Sequence, residues 1–244
     1  MHHVVLEQWS RGSSPVHRFD PRAKLVVLLA VLISVATAAR GLPLFAGALF
    51  LLLITGLRFA RVPVIRVLTR AAVILPFTAV FAAVSWLAGD PARAFSLTVK
   101  SYLSALAVLL LISTTPLPSL LRAIGITGAP PFLLEVAQFL YRYLFVISEE
   151  AQHMTKAAAA RGASVRQWIA QVHRFRAAAG ALAILFARSY IRAEDVQRAM
   201  LARGFQGSLP LLRVTKFRTS DTVFLILASL APWALRAAAE RALP

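Results

Sequence analysis

The residues best placed to do chemistry in this 244-residue chain are two arginines set in the same pattern. Ala157-Ala158-Ala159-Ala160-Arg161-Gly162 and Ala199-Met200-Leu201-Ala202-Arg203-Gly204 both read Ala-x-x-Ala-Arg-Gly, with acids upstream at Glu149/Glu150 and at Glu194/Asp195. From 44 Ala, 23 Arg and 11 Gly, composition expects roughly 0.2 copies of Ala-Arg-Gly, so two copies ask for a cause. A guanidinium is a planar fork that grips a carboxylate bidentately, a small Ala before it allows close approach, and a Gly after it turns the chain away. That is the chemistry of docking. Ordinary helix capping uses the same residue types, because Arg complements the C-terminal end of a helix and Gly terminates it.

Bond-making chemistry is poorly supplied. There are ten acids and five histidines (His2, His3, His17, His153 and His173) and no cysteine, which excludes disulfides, thiolate metal sites and cysteine nucleophiles. Neither paired carboxylates nor a nucleophile beside its base is visible. No catalytic residue and no metal-ligand set is assigned. His3 has the spacing of an N-terminal copper or nickel chelate, too slight a pattern to carry a site. His17 is expected at an interface, and His153 and His173 as solvated or paired side chains.

The elements that position the arginines belong to a membrane protein. Hydrophobic residues make up 59% of the chain and charged ones 15%, against about 45–50% and about 25% in ordinary soluble domains. Uncharged runs at 25–39, 41–57, 71–89 and 101–121 predict four spans. The first is short, so the flanking Lys24 and Arg40 are expected to snorkel toward the two interfaces. No charged side chain lies inside these runs, which argues against an ion path through this chain alone. A fifth run, 222–235, contains Pro232 and predicts a C-terminal span. The run 177–187 is too short to cross and is expected to dip into the interface or bury against neighbouring helices.

Residues 1–20 lack the apolar core of a cleavable signal peptide. Arg11, Arg18, Arg22 and Lys24 precede the first span, and Arg58, Arg61, Arg66 and Arg70 separate the second from the third, so both segments are expected on the cytoplasmic side. The formal net charge of +17 then suits anionic headgroups or an acidic protein surface better than nucleic acid. The domain reading is a four-span membrane domain at 1–116, a basic cytoplasmic domain at 117–220 and a terminal membrane helix at 221–244.

In the basic domain Phe132, Val136, Phe139, Tyr143 and Ile147 recur at helical spacing. They predict an amphipathic helix of about thirty residues opening at Pro130-Pro131 and closing at Arg161, with Gly162 as its cap. Residues 164–176 read as a basic connection. A second helix is expected from about Ala177 to Arg203, capped by Gly204, with Glu194 and Arg198 paired at i, i+4. The fold class is all-α: about four N-terminal spans, two long cytoplasmic or interfacial helices and a C-terminal span.

At these residues the chain resembles the transmembrane T component of energy-coupling factor transporters, the EcfT/CbiQ family of importers for vitamins and for cobalt and nickel ions. Ser14-Pro15-Val16-His17-Arg18-Phe19-Asp20-Pro21-Arg22-Ala23-Lys24-Leu25 is similar to the family's approach to its first span. Tyr141-Arg142-Tyr143, Glu149/Glu150 and the first Ala-Arg-Gly resemble its first coupling helix. Arg192-Ala193-Glu194-Asp195 through Ala202-Arg203-Gly204-Phe205 resembles its second.

The resemblance implies a non-catalytic subunit of a prokaryotic cytoplasmic membrane, with ATP and Mg bound by two partner ATPases and no cofactor of its own. Ala160, Arg161 and Gly162 would dock one ATPase, and Ala202, Arg203 and Gly204 the other. A small substrate-binding S component would be held partly by apolar faces carrying Phe132, Val136, Phe139 and Tyr143. A conventional ABC permease, which would show a single coupling loop with a Glu-Ala-Ala start, and a basic membrane-surface scaffold are the competing readings.

Overall fold

The computed structural model describes residues 9–10, 12, 14–38, 41–126, 128–161, 171–206 and 217–241, and the side chains of 171–177 are outside the description. The described residues are helical almost throughout, with no strand among them. This is the form that lets a lipid-embedded backbone satisfy its own hydrogen bonds. The chain divides into two compact units, 1–124 with 213–244, and 125–212.

In the first unit a short helix α1 (Pro15–Arg18) leads into α2 (Pro21–Thr37), α3 (Leu42–Phe59), α4 (Val64–Ala71), α5 (Leu75–Leu87), α6 (Pro91–Thr114) and α7 (Leu117–Ile126), whose last turn reaches the unit boundary. The terminal helix, Thr219–Arg241, packs against α2 and α3 in this unit. Phe45, Leu49, Leu53 and Leu57 recur every fourth residue on α3 and are all buried, meeting Val31 and Val35 of α2 and Leu103 and Leu106 of α6. Large apolar side chains such as Leu51, Phe77 and Leu87 stand exposed on the opposite faces, as lipid contact requires.

Caps, not loss of hydropathy, set the helix ends. Asp20 and Asp90 each cap a helix that opens with proline, accepting from Arg22 N (2.8 Å) and Arg93 N (2.9 Å). The fourth span therefore begins at Pro91 and not at 101, and it ends at Thr114 because Thr115, extended before Pro116, cannot continue the helix. The run expected at 101–121 is thus two helices. The earlier start places Arg93 and Lys100 inside α6, and Arg66 and Arg70 stand in α4, so the spans are not free of charge. Between α4 and α5 a 3-10 turn at Ala72–Ile74 precedes Pro76, whose ring displaces the carbonyl four residues back.

The first span departs from expectation at Lys24. Its side chain does not snorkel: Lys24 is 6% exposed and its Nζ donates to the Thr114 carbonyl (3.0 Å) and to Thr115 Oγ1 (3.1 Å). The terminal helix is longer than 222–235 and runs through a fully buried Pro232.

The second unit holds α8 (Pro131–Ala160) and α9 (Gln171–Ala202), with the terminal helix of the first unit then becoming α10 (Thr219–Arg241). The predicted thirty-residue helix is present with its predicted opening. The second starts at Gln171, so 171–176 of the expected connection are helical, while 164–170 lie outside the described residues.

Among the described residues five helical stretches are long and apolar enough to cross a membrane: α3, Val64–Leu87 (α4 to α5), α6, α8 and α10. α8 is the least apolar of these, with a mean hydropathy of 1.2 against 1.6 to 2.0 for the others. The expectation that it lies outside the bilayer therefore does not follow from length and composition. At 17 residues α2 spans about 25 Å.

Candidate functional site

Each Ala-Arg-Gly arginine stands at the C-terminal end of one of two helices that pack on each other. Arg161 closes α8: its N–H donates to the carbonyls of Ala157 (3.2 Å) and Ala158 (3.1 Å), and the four alanines before it are exposed. Gly162 lies outside the described residues. At α9 the whole motif is described. Gly204 adopts φ +78, Gly204 N donates to Leu201 O (3.0 Å) and Phe205 N to Met200 O (3.0 Å). These two bonds form a Schellman ending, in which glycine takes the left-handed residue without a Cβ penalty. Ala202, Arg203 and Gly204 are exposed.

Among the described residues no carboxylate pairs with Arg161 or Arg203, although acids stand upstream of both. Three of those four acids are engaged elsewhere. Glu194 meets Arg198 at 3.3 Å, the expected i, i+4 pair, and Glu149 lies 3.9 Å from His153. Glu150 bonds Arg188 across the two helices. That last link was not legible in the sequence, since nothing in one helix's periodicity announces a partner on another.

Between α8 and α9 runs a groove of about 810 Å³. Val136, Phe139 and Tyr143 line it from α8, and Val196, Met200 and Phe205 from the other side. Phe139 and Tyr143 stack with ring centroids 6.4 Å apart. Phe132, the fourth apolar residue singled out from the sequence, is 71% exposed and stands outside the groove. The Schellman turn helps build this groove, because Phe205 returns over the turn to lie with Met200 on one wall. The run 177–187 is part of α9 and does not bury within the unit: Leu182, Ile184 and Phe186 are exposed.

His17 is held by Ser14 Oγ (2.6 Å) and the Trp9 carbonyl (2.8 Å), a tie inside the N-terminal segment. His2 and His3 lie outside the described residues, as does the side chain of His173. Among the described residues the site offers two exposed cationic forks and one largely apolar groove.

The family model for CbiQ, cobalt transport protein, matches residues 12–212. The cobalt transport protein CbiQ of Rhodobacter capsulatus is 32% identical over 124 residues, covering 50% of this chain and 48% of that one, so this match spans about half of that relative. The energy-coupling factor transporter transmembrane protein EcfT of Bacillus selenitireducens is 27% identical over 238 residues, covering 84% of each chain. The EcfT of Exiguobacterium sibiricum is 31% identical over 137 residues, or 52% of this chain and 51% of that one. Helices that suit a bilayer, paired arginine helix ends and a family match spanning both lead to one conclusion: the chain belongs to the CbiQ cobalt transport protein family, as a multi-pass membrane component of a cobalt or energy-coupling-factor-type transporter.

Proposed function

We propose that this chain is the energy-coupling subunit of an importer for cobalt, nickel or a vitamin, joining two cytoplasmic ATPases to a small substrate-binding membrane protein. It lies in a prokaryotic cytoplasmic membrane with its N-terminus inside. The observation that carries this reading is the duplication of one exposed arginine at the C-terminal ends of two long helices packed in one unit. A rigid helix end transmits displacement, whereas a loop absorbs it. Arg161 and Arg203 each grip a carboxylate of one ATPase, with Ala160 and Ala202 leaving room for the approach and Gly162 and Gly204 turning the chain clear. ATP and Mg are bound by the ATPases; this chain supplies neither cofactor nor catalytic group.

The groove with Val136, Phe139 and Tyr143 receives an apolar helix of the substrate-binding protein, and Phe132 extends the same face beyond it. Movement of the ATPases shifts the two arginine anchors, and the helices carry that shift to the groove. The test is co-purification from detergent. Arg161→Ala and Arg203→Ala each reduce the ATPase recovered with the complex, by about tenfold if each removes a charge-assisted bidentate contact, and the double change abolishes recovery and uptake. A double variant that retains both ATPases at parent stoichiometry overturns the assignment.

A further inference from the structure

The chain leaves the first unit after Ile124 and returns to it at Arg213, so residues 125–212 are an insertion with two attachments. The last long helix before departure ends at Thr114, and α10 begins at Thr219 soon after the return. Both of these ends meet the same short stretch, the first turn of α2. Lys24 Nζ donates to the Thr114 carbonyl (3.0 Å) and to Thr115 Oγ1 (3.1 Å). Asp20 N donates to Asp221 Oδ1 (3.1 Å), and the other oxygen of Asp221 accepts from Arg218 N (2.9 Å). Asp20 also caps its own helix through Arg22 N (2.8 Å).

Three helix termini thus converge, and each carries the charge its dipole favours. Aspartates stand at the N-terminal ends of α2 and α10, and a lysine at the C-terminal end of α6. The groups are closed off from solvent: Asp20 and Lys24 are 6% exposed, Asp221 4%, Thr114 and Thr115 2% each. Phe19 stacks on Phe224 beside them, 4.2 Å between centroids. Charged groups are costly to bury, and hydrophobic residues would hold three helices together at least as well. What they add is directional attachment of two particular backbone segments.

We propose that Asp20, Lys24 and Asp221 are positioning residues that clamp both attachments of the inserted segment to the membrane unit, so that displacement of the segment is delivered to the spans. This rests on the coupling role given under Proposed function. Without the clamp the ATPases still dock and turn over, but the attachments give way under load and uptake fails.

The test uses the full chain with its partner subunits in liposomes, comparing Lys24→Met and Asp221→Asn with the parent. Lys100→Met is the control, since Lys100 Nζ also bonds a backbone carbonyl, Ala36 O at 3.0 Å, but at the other end of α2. Uptake is scored with radioactive cobalt(II), nickel(II) and biotin, on whichever the parent complex imports. The expected result is a loss of uptake of about tenfold or more, with ATP hydrolysis per assembled complex within about twofold of the parent. A second arm needs no ATPase and so stands apart from the fate of Arg161 and Arg203. The chain has no cysteine, so nitroxide labels at Leu117→Cys and Ser220→Cys report the spacing of the two attachments in the isolated chain. The distance distribution is narrow in the parent and in Lys100→Met, and it broadens in Lys24→Met and Asp221→Asn. Unchanged uptake, or an unchanged distribution, overturns the clamp. If neither variant accumulates in the membrane, the cluster serves folding alone and the proposal is equally overturned.

Discussion

The two units of this chain are built on opposite terms. The first closes around Phe45, Leu49, Leu57 and Leu106, all essentially inaccessible. In the second no described residue between 125 and 206 is buried, and along α8 side chains are at most half-buried, Phe139 and Tyr143 among them. A close-packed interior fixes one arrangement, because each side chain is held by neighbours on every side. Two helices meeting along a partial seam have no such restraint and leave apolar surface unsatisfied. The first unit therefore has an interior of its own, and the second leaves open the apolar surface that the proposed partners would cover. The proposed coupling role would draw on both, a packed part and an open one.

The strongest way to break this comparison is to make equal truncations in the two units. Phe45→Ala should cost about 3–5 kcal/mol and lower the thermal midpoint of the isolated chain in detergent, because it opens a cavity in a packed interior. Phe139→Ala in the groove should cost about 1 kcal/mol or less in the same experiment, yet it should reduce capture of the substrate-binding membrane protein. Equal losses of stability from both variants would mean that the second unit has a core of its own.

A smaller effect sharpens the comparison at the helix ends. Gly204→Ala places a Cβ on a residue at φ +78 and should cost about 1–2 kcal/mol locally. Because the turn also directs Arg203 and Phe205, ATPase recovery should fall with it, measured by co-purification. The first unit supplies a counterpart. Arg61 has φ 56 in the same two-bond ending, with Arg61 N on Arg58 O (3.0 Å) and Val62 N on Leu57 O (3.2 Å). Arg61→Gly should therefore raise the stability of the isolated chain by up to about 1 kcal/mol, seen as a modest rise in thermal midpoint.

What the sequence disclosed divides along the same line. Local periodicity revealed α8, since Phe132, Val136, Phe139, Tyr143 and Ile147 fall on one face of a regular helix, and the Arg-Gly pairs marked two helix ends. Hydropathy located the spans but misplaced their limits. The fourth was read from its apolar run, whereas Asp90-Pro91 opens the helix ten residues earlier and Pro116 closes it earlier too. Charge in the flanks led Lys24 to be read as a snorkelling residue, and its partners lie 90 and 91 positions away. Asp20 and Asp221 are 201 positions apart. Contacts of that kind arise from how helices pack, and no spacing within one helix encodes them. The two arginine helix ends were legible because a cap is set by position on its own helix, while the buried contacts of Asp20, Lys24 and Asp221 were not.

The central claim is that the two helix ends are separate anchors for two ATPases. A photo-cross-linking side chain placed at Ala160 or at Ala202, in the assembled complex under illumination, tests this most directly. The account predicts that each position alone yields an adduct of this chain with one ATPase subunit, and that the two together yield an adduct with both. Adducts only with lipid or with the substrate-binding membrane protein, from both positions, would contradict it.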